Sequence, residues 1–476
     1  MRSLKENFLW NASYQILRII TPLITMPYLS RVLGAEQLGT FSYTYSVATW
    51  FSLFCLLGLN QYGNREIARV RDDTQKLSKT FWSIYAMQLA TTAVVSIVYT
   101  IYALNNGEFI TYSLVWVFWI VSEAININWL FFGLEEFRIT VIRNFVVRIA
   151  TIILIFALVH NEGDLWVYCA IQSISMAVSY LVLVPFLRNR VNFYRPHLSE
   201  IAVHIKPNIR LFAPIVAISF YTQLDKVLLG NLSASIAQVS FYDYSEKISQ
   251  IPLSVVQALG IAMLPRMSSV ISKGQTEKAR EYLDVSIWFA SIMSLGFMFG
   301  VMAISQEFIP IFLGAEYMPC IALTMAISGM IPLIAWSNAI GVQYLLPMGE
   351  DRKYTLSVIL GAVINVISNI ILIPHMQAMG AVISTLISEA AVTIMQCAFV
   401  RKDLPLAKYA YDAIPYMIMG LVMFATVRVS SSALGAFGII GLLLEVLLGA
   451  SVYAVLGFLW LRLRRDDRLE VLLKKW

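Results

Sequence analysis

Charge is scarce in this chain. Only 13% of its 476 residues are Asp, Glu, Lys or Arg, while 58% are hydrophobic, which leaves too little polar surface to coat a water-soluble globule. Cysteine is scarcer. Cys55, Cys169, Cys320 and Cys397 stand in or beside apolar stretches with no CxxC spacing, so a metal site or a disulfide framework is not expected, and they read as small packing residues. His160, His197, His204 and His375 are scattered without an HExxH or triad-like context, which argues against hydrolase or metalloprotease chemistry. Long polar connections are missing too, so no folded domain is expected on either side of the apolar segments.

What the chain has instead is long apolar runs, with a mean hydropathy of +0.70. About fourteen can be drawn: 7–29, 39–62, 81–104, 109–132, 141–160, 165–187, 209–231, 239–263, 285–305, 318–345, 355–374, 378–400, 410–430 and 434–461. They repeatedly reach the roughly 20 residues that cross a bilayer as a helix. They are continuous, whereas outer-membrane strands would alternate apolar and polar over about ten residues. The fold class expected is therefore an all-α polytopic membrane protein. The first run follows Arg2 and Lys5 like a secretory signal, but Arg18 interrupts it and no small-residue cleavage site follows, so it reads as a retained helix.

Positive charge alternates from side to side. Of 35 Lys and Arg, 29 fall on the N-terminus, on every second loop and on the tail, and only Arg31 and Arg428 fall on the other side. The positive-inside rule then places both termini in the cytoplasm and requires an even number of spans. The net charge of +6 is spread over loops facing anionic lipid and implies no nucleic-acid partner.

The chain also resembles itself at an offset of about 200 residues. Leu33-Gly34 with Leu38-Gly39-Thr40-Phe41 matches Leu229-Gly230 with Val239-Ser240-Phe241, and Gly58 precedes Arg65 much as Gly260 precedes Arg266. The organisation expected is two six-helix bundles in parallel repeat, 1–205 and 206–403, followed by two extra helices and a basic tail, 404–476. Such repeats are a transporter architecture in which bundles rock around a midplane site.

Several motifs then carry a resemblance. Leu33-Gly34-Ala35-Glu36-Gln37-Leu38-Gly39, Gly63-Asn64-Arg65-Glu66-Ile67-Ala68-Arg69, Trp129-Leu130-Phe131-Phe132-Gly133-Leu134-Glu135 and Leu224-Asp225-Lys226-Val227-Leu228-Leu229-Gly230 occur in that order. Leu346-Pro347-Met348-Gly349-Glu350 and Gly380 to Glu389 follow. Over roughly residues 1–430 the set resembles the polysaccharide exporters of the multidrug/oligosaccharidyl-lipid/polysaccharide superfamily, of the O-antigen and teichoic acid exporter type. That resemblance implies a flippase of the bacterial cytoplasmic membrane that moves undecaprenyl-diphosphate-linked oligosaccharide from the inner to the outer leaflet. It implies membrane lipid, a polysaccharide polymerase and other assembly proteins as partners, no enzymatic activity, and sodium or a proton as coupling ion. Departures at Phe132, where the family often has Gln, and at Asp243, where it has small residues, point to chemistry particular to this chain's cargo.

Setting aside the 31 basic residues counted with the loops and termini, Arg143 among them, leaves Arg18, Arg148, Lys226 and Lys247 within spans, and each would cost at least about 2.5–3.5 kcal/mol facing lipid at the bilayer centre. A diphosphate needs such a cationic chamber. Arg18, Arg148 and Lys226 are accordingly the candidates for headgroup contact, a guanidinium offering a planar fork to phosphate oxygens; alternatively Arg18 pairs with Glu123 and Arg148 snorkels outward. Glu123, Asp243 and Lys247 are further cavity charges, the last two standing at i, i+4 as a local ion pair. Asp225, Asn365, Asn369 and Thr385 offer oxygens for sodium, resembling the cation site of the lipid II flippase branch, unless the amides and hydroxyls simply bridge helices. Tyr14, Gln15, Asn126 and Trp129 are candidates for sugar contact. Two rival functions use similar composition: a cation-coupled multidrug exporter of the same superfamily, and a polytopic polysaccharide polymerase or glycosyltransferase, which would want a longer outer loop than any here.

Overall fold

Breaks within its helices, more than the helices themselves, shape this molecule. The computed structural model describes residues 20–434 and 437–464, and every regular element among them is helical. Arg18, Tyr14, Gln15 and the tail from Arg465 lie outside the described residues. Ten helical stretches among the described residues are long and apolar enough to cross a membrane. One of them, Asp351–Val400, is fifty residues long and carries two of the expected segments. It turns at Gln377, whose φ is 53°, three residues after Pro374. The expected segments 209–231 and 239–263 lie in the helices Leu198–Leu232 and Ala237–Ser272.

The chain divides into two compact units. The first comprises Met1–Gly230 with Ser235–Ser240. Its helices are α1 (20–32), α2 (Gly34–Leu56), α3 (Leu59–Val70), α4 (Thr74–Leu104), α5 (Ile110–Ser122), α6 (Asn128–Gly133), α7 (Phe137–Leu158), α8 (Leu165–Leu181), α9 (Val184–Leu187) and α10 (Leu198–Leu232). Between α2 and α3 the chain passes through Leu57 (φ 52°) and Gly58 (φ 111°). A side chain at Gly58 would meet the Phe212 backbone at 3.2 Å, so the left-handed turn and the close approach both call for glycine. Helices α3 and α6 then touch through small residues: a Cβ at Gly63 would lie 2.7 Å from the Trp129 ring, and one at Gly133 2.6 Å from Ile67. This contact seats Trp129, Leu130 and Phe131 in a buried cluster with Leu59, Ile67, Phe81 and Ile84.

Ion pairs staple the basic edge of this unit. Arg71 meets Glu135, Arg190 meets Glu136 and Lys79 meets Glu200, each at 2.7 Å, while Asp73 caps α4 by accepting the amides of Gln75 and Lys76 at 3.1 Å. Glu200, in the first turn of α10, also accepts the Tyr194 hydroxyl at 3.0 Å and the His197 amide at 2.9 Å. Hydrogen bonding to Lys79, then to the His197 amide, lowers its carboxyl to about 2, since donors favour the ionised form.

The second unit comprises Asn231–Ala234 and Phe241–Trp476. It holds most of α11 (Ala237–Ser272), then α12 (Thr276–Leu313), α13 (Cys320–Ile327), α14 (Met330–Ser337), α15 (Asp351–Val400), α16 (Leu406–Leu434) and α17 (Ile439–Arg464). A π-helical stretch, Asn338–Leu345, continues α14. Helices α12, α16 and α17 pack together, tied by the Trp288 indole to the Tyr416 hydroxyl and by the Tyr453 hydroxyl to the Ile292 carbonyl, both at 2.8 Å.

Candidate functional site

The stretch Gly107–Gly133 is apolar enough to span a membrane, yet its helix does not run through. Helix α5 stops at Ser122, a 3-10 turn covers Glu123–Ile125, and α6 begins at Asn128. A break inside hydrocarbon must find new partners for the carbonyls it frees. Gln88 of α4 supplies them: its amide donates to the carbonyls of Glu123 (2.7 Å) and Asn126 (3.0 Å), and its own oxygen accepts the Trp129 indole at 2.9 Å.

Glu123 sits in this break at 2% exposure. Its carboxylate accepts the Trp119 indole (3.0 Å), the Tyr180 hydroxyl (2.8 Å) and the Asn126 amide (2.7 Å). The chain of contacts goes on. Asn128 donates to Asn126 Oδ1 at 2.8 Å, and Asn128 Oδ1 accepts from Arg143 Nη1 at 2.9 Å. Arg143 also turns Nε and Nη2 to Asn144 Oδ1, at 3.1 and 2.5 Å. A carboxylate and a guanidinium are thus joined through two side-chain amides: Glu123, Asn126, Asn128, Arg143.

Arg143 is 6% exposed, in the second turn of α7. Counted with the loop charges although the drawn segment 141–160 reaches it, Arg143 lies on helix α7, which begins at Phe137, and is packed inside the unit. The amide oxygens of Asn128 and Asn144 orient the guanidinium, whose planar fork of N–H donors suits it to meet phosphate oxygens.

Arg148, on the same helix, is half-buried and donates Nε to the Thr21 hydroxyl of α1 at 3.3 Å. Arg18 lies outside the described residues. Asp225 and Lys226 are both buried on α10, and both are engaged by neighbours. Arg148, Asp225, Lys226 and Glu123 belong to the first unit.

The remaining candidates belong to the second. Lys247 donates to Asp243 Oδ2 at 2.6 Å, one turn away on α11. Asn369 donates to Asn365 Oδ1 at 3.1 Å along α15, both fully buried. The Thr385 hydroxyl lies 2.9 Å from that of Tyr242 and also donates to the Ala381 carbonyl at 3.0 Å. The proposed sodium ligands are therefore divided, Asp225 in one unit and Asn365, Asn369 and Thr385 in the other. Two buried carboxylates went unread in the sequence: Glu389, 5% exposed beside Ser388, and Glu445, fully buried in α17. An acid inside an apolar run is the signal that would have found both.

Known proteins agree with this architecture. An Escherichia coli (strain K12) protein named for O-antigen transport is 23% identical over 406 residues, covering 84% of this chain and 97% of its own length. A similarly named protein of Shigella dysenteriae is 24% identical over 389 residues, covering 80% and 96%. A Haloferax volcanii protein named as a low-salt glycan biosynthesis flippase, Agl15, matches at 22% over about half of each chain, 52% in both cases. Among solved structures, the lipid II flippase MurJ in an inward closed conformation superposes with a TM-score of 0.71 at 13% identity, over 97% of this chain and 99% of that one. An inward-facing MATE family multidrug transporter gives 0.66 at 15% identity, over 82% and 95%. The fold is thus the one shared by MurJ and the MATE transporters. A family model described as polysaccharide biosynthesis protein matches residues 4–271, more than half of the 476-residue chain, and the chain belongs to that family.

Proposed function

We propose that this protein is a flippase that carries undecaprenyl-diphosphate-linked oligosaccharide from the inner to the outer leaflet of the cytoplasmic membrane, for assembly of O-antigen or a related surface polysaccharide. The observation that carries this reading is the buried Arg143, held by Asn128 and Asn144 and joined through amides to Glu123. A polyprenyl tail stays in hydrocarbon throughout, whereas a diphosphate and its sugars need a polar route. A buried guanidinium held in orientation by amide side chains offers phosphate oxygens a planar fork of N–H donors. Arg18, Arg148 and Lys226 are the further headgroup contacts.

The transport cycle is alternating access, with fourteen spans and both termini in the cytoplasm, as the distribution of basic loops implies. Sodium or a proton drives it, and Asp225 in the first unit and Asn365, Asn369 and Thr385 in the second are the candidate oxygen donors for sodium. The relatives named as flippases and the MurJ-like fold support the lipid-linked cargo; the MATE-like superposition keeps drug export as the second reading.

The test is complementation of a strain lacking its own O-antigen flippase, at matched protein level. Arg18→Ala and Arg143→Ala should each abolish surface polysaccharide, with Arg18→Lys retaining some. Wild-type polysaccharide in both alanine variants, or drug resistance without polysaccharide in the parent, would overturn the reading.

A further inference from the structure

Helices α12, α16 and α17 line a partly open cavity of about 340 Å³. Its lining is mostly apolar, from residues such as Phe297, Met423, Val427 and Ala450, and includes one acid, Glu445. That side chain is 0% exposed, and among the described residues neither carboxyl oxygen has a hydrogen-bond partner. Two other charged residues stand at the same level. Glu307 lies six residues before the end of α12, Arg428 six before the end of α16, and Glu445 six after the start of α17, each about 9 Å from its helix end at a rise of about 1.5 Å per residue. Arg428 Nη1 donates to Glu307 at 2.7 Å and to the Ala303 carbonyl at 3.0 Å, while Nη2 donates to Gln306.

One guanidinium therefore serves a level that holds two carboxyl groups. If both were ionised, the group would carry a net negative charge inside the membrane, with Glu445 lacking any donor. A carboxyl in that position binds a proton instead. The charged or titratable groups around it are Glu307 on α12, Arg428 on α16 and, two turns along α17, Tyr453, whose hydroxyl is committed to Ile292.

We propose that Glu445 is a membrane-embedded proton-binding site and that Arg428 is the partner of its ionised form. When the proton leaves Glu445 for the aqueous side nearest the start of α17, Arg428 turns from Glu307 to Glu445. The move loosens α12 from α16 and ties α16 to α17, so that proton binding biases the arrangement of three helices. Use of this site to drive transport rests on the function proposed above; the proton site does not.

Infrared difference spectroscopy on the full-length protein in lipid vesicles separates the two. At neutral pH the wild type should show a protonated-carboxyl band that E445Q lacks, glutamine being close in shape to the neutral acid. E307Q frees Arg428 and should diminish the same band at the same pH. Superimposable bands in wild type and E445Q would sink the proposal, as would an undiminished Glu445 band in E307Q. Polysaccharide export is then followed under an imposed proton gradient. Loss of gradient dependence in E445Q ties the site to transport. Absence of export in the wild type strikes at the proposed function and leaves the carboxyl result standing.

Discussion

Asn128 is where the amide chain can be cut or re-charged with least change of shape. In the parent it accepts from Arg143 at 2.9 Å and donates to Asn126 at 2.8 Å. Asn128→Ala removes both contacts. A hydrogen bond to a charged group contributes about 1.5–3 kcal/mol and a neutral one about 0.5–1.5, so the alanine variant should lose about 2–4 kcal/mol and melt earlier in detergent. Asn128→Asp behaves differently. It keeps an acceptor for Arg143 and adds a charge, so the stronger pair offsets the lost donation to Asn126 and the melting temperature stays near the parent's. Transport should nonetheless fall, because a built-in carboxylate now competes with the diphosphate for the guanidinium. Displacing a charge-assisted contact of about 1.5–3 kcal/mol lowers headgroup engagement roughly ten- to a hundredfold. The assay is surface polysaccharide in a flippase-deficient strain, alongside thermal melting of the purified variants. If Asn128→Asp is stable and exports like the parent, Arg143 does not meet the cargo, and the amide chain is a structural tie between α6 and α7.

Three further outcomes follow from other contacts. Gly63→Ala places a methyl 2.7 Å from the Trp129 ring, and overpacking of this kind costs about 1–3 kcal/mol; a melting temperature equal to the parent's would show that α3 and α6 are not held this close. Glu200, whose carboxyl is lowered to about 2 from 4.5 chiefly by Lys79, contributes stability that is fully present above the unfolded value and is lost as pH falls from about 4.5 towards 2. In Glu200→Gln that part of the acid limb should vanish from melting curves recorded against pH, and an unchanged difference between the two proteins would contradict it. Export should depend on sodium in the parent and lose that dependence in Asp225→Asn; equal export with choline in place of sodium removes the sodium version of the coupling.

Topology and chemistry were legible in this sequence to different depths, and the reason is range. Apolar length is a local property, so spans such as 81–104 and 285–305 reappear inside α4 and α12. The Asp243–Lys247 pair is equally local, one helical turn apart. Arg143 was counted as a loop charge because its burial is set by packing beyond its own helix, α7, which begins at Phe137 after the turn at Glu135 with φ 58°. Its partner Asn128 is fifteen residues away across that turn, and an amide acceptor leaves no charge pattern to detect. Arg428 was assigned to the outer side with Arg31, and nothing in the sequence signalled that Glu307, 121 residues earlier, pairs with it. Glu445 differs again. Its cost in an apolar run is visible in the sequence, but whether a donor reaches it is decided only by three helices meeting. A charge count over loops therefore works as a topology rule because most loop charges face water. It is silent about the few residues whose partners lie on other helices, and those are the ones on which a membrane transporter's chemistry depends.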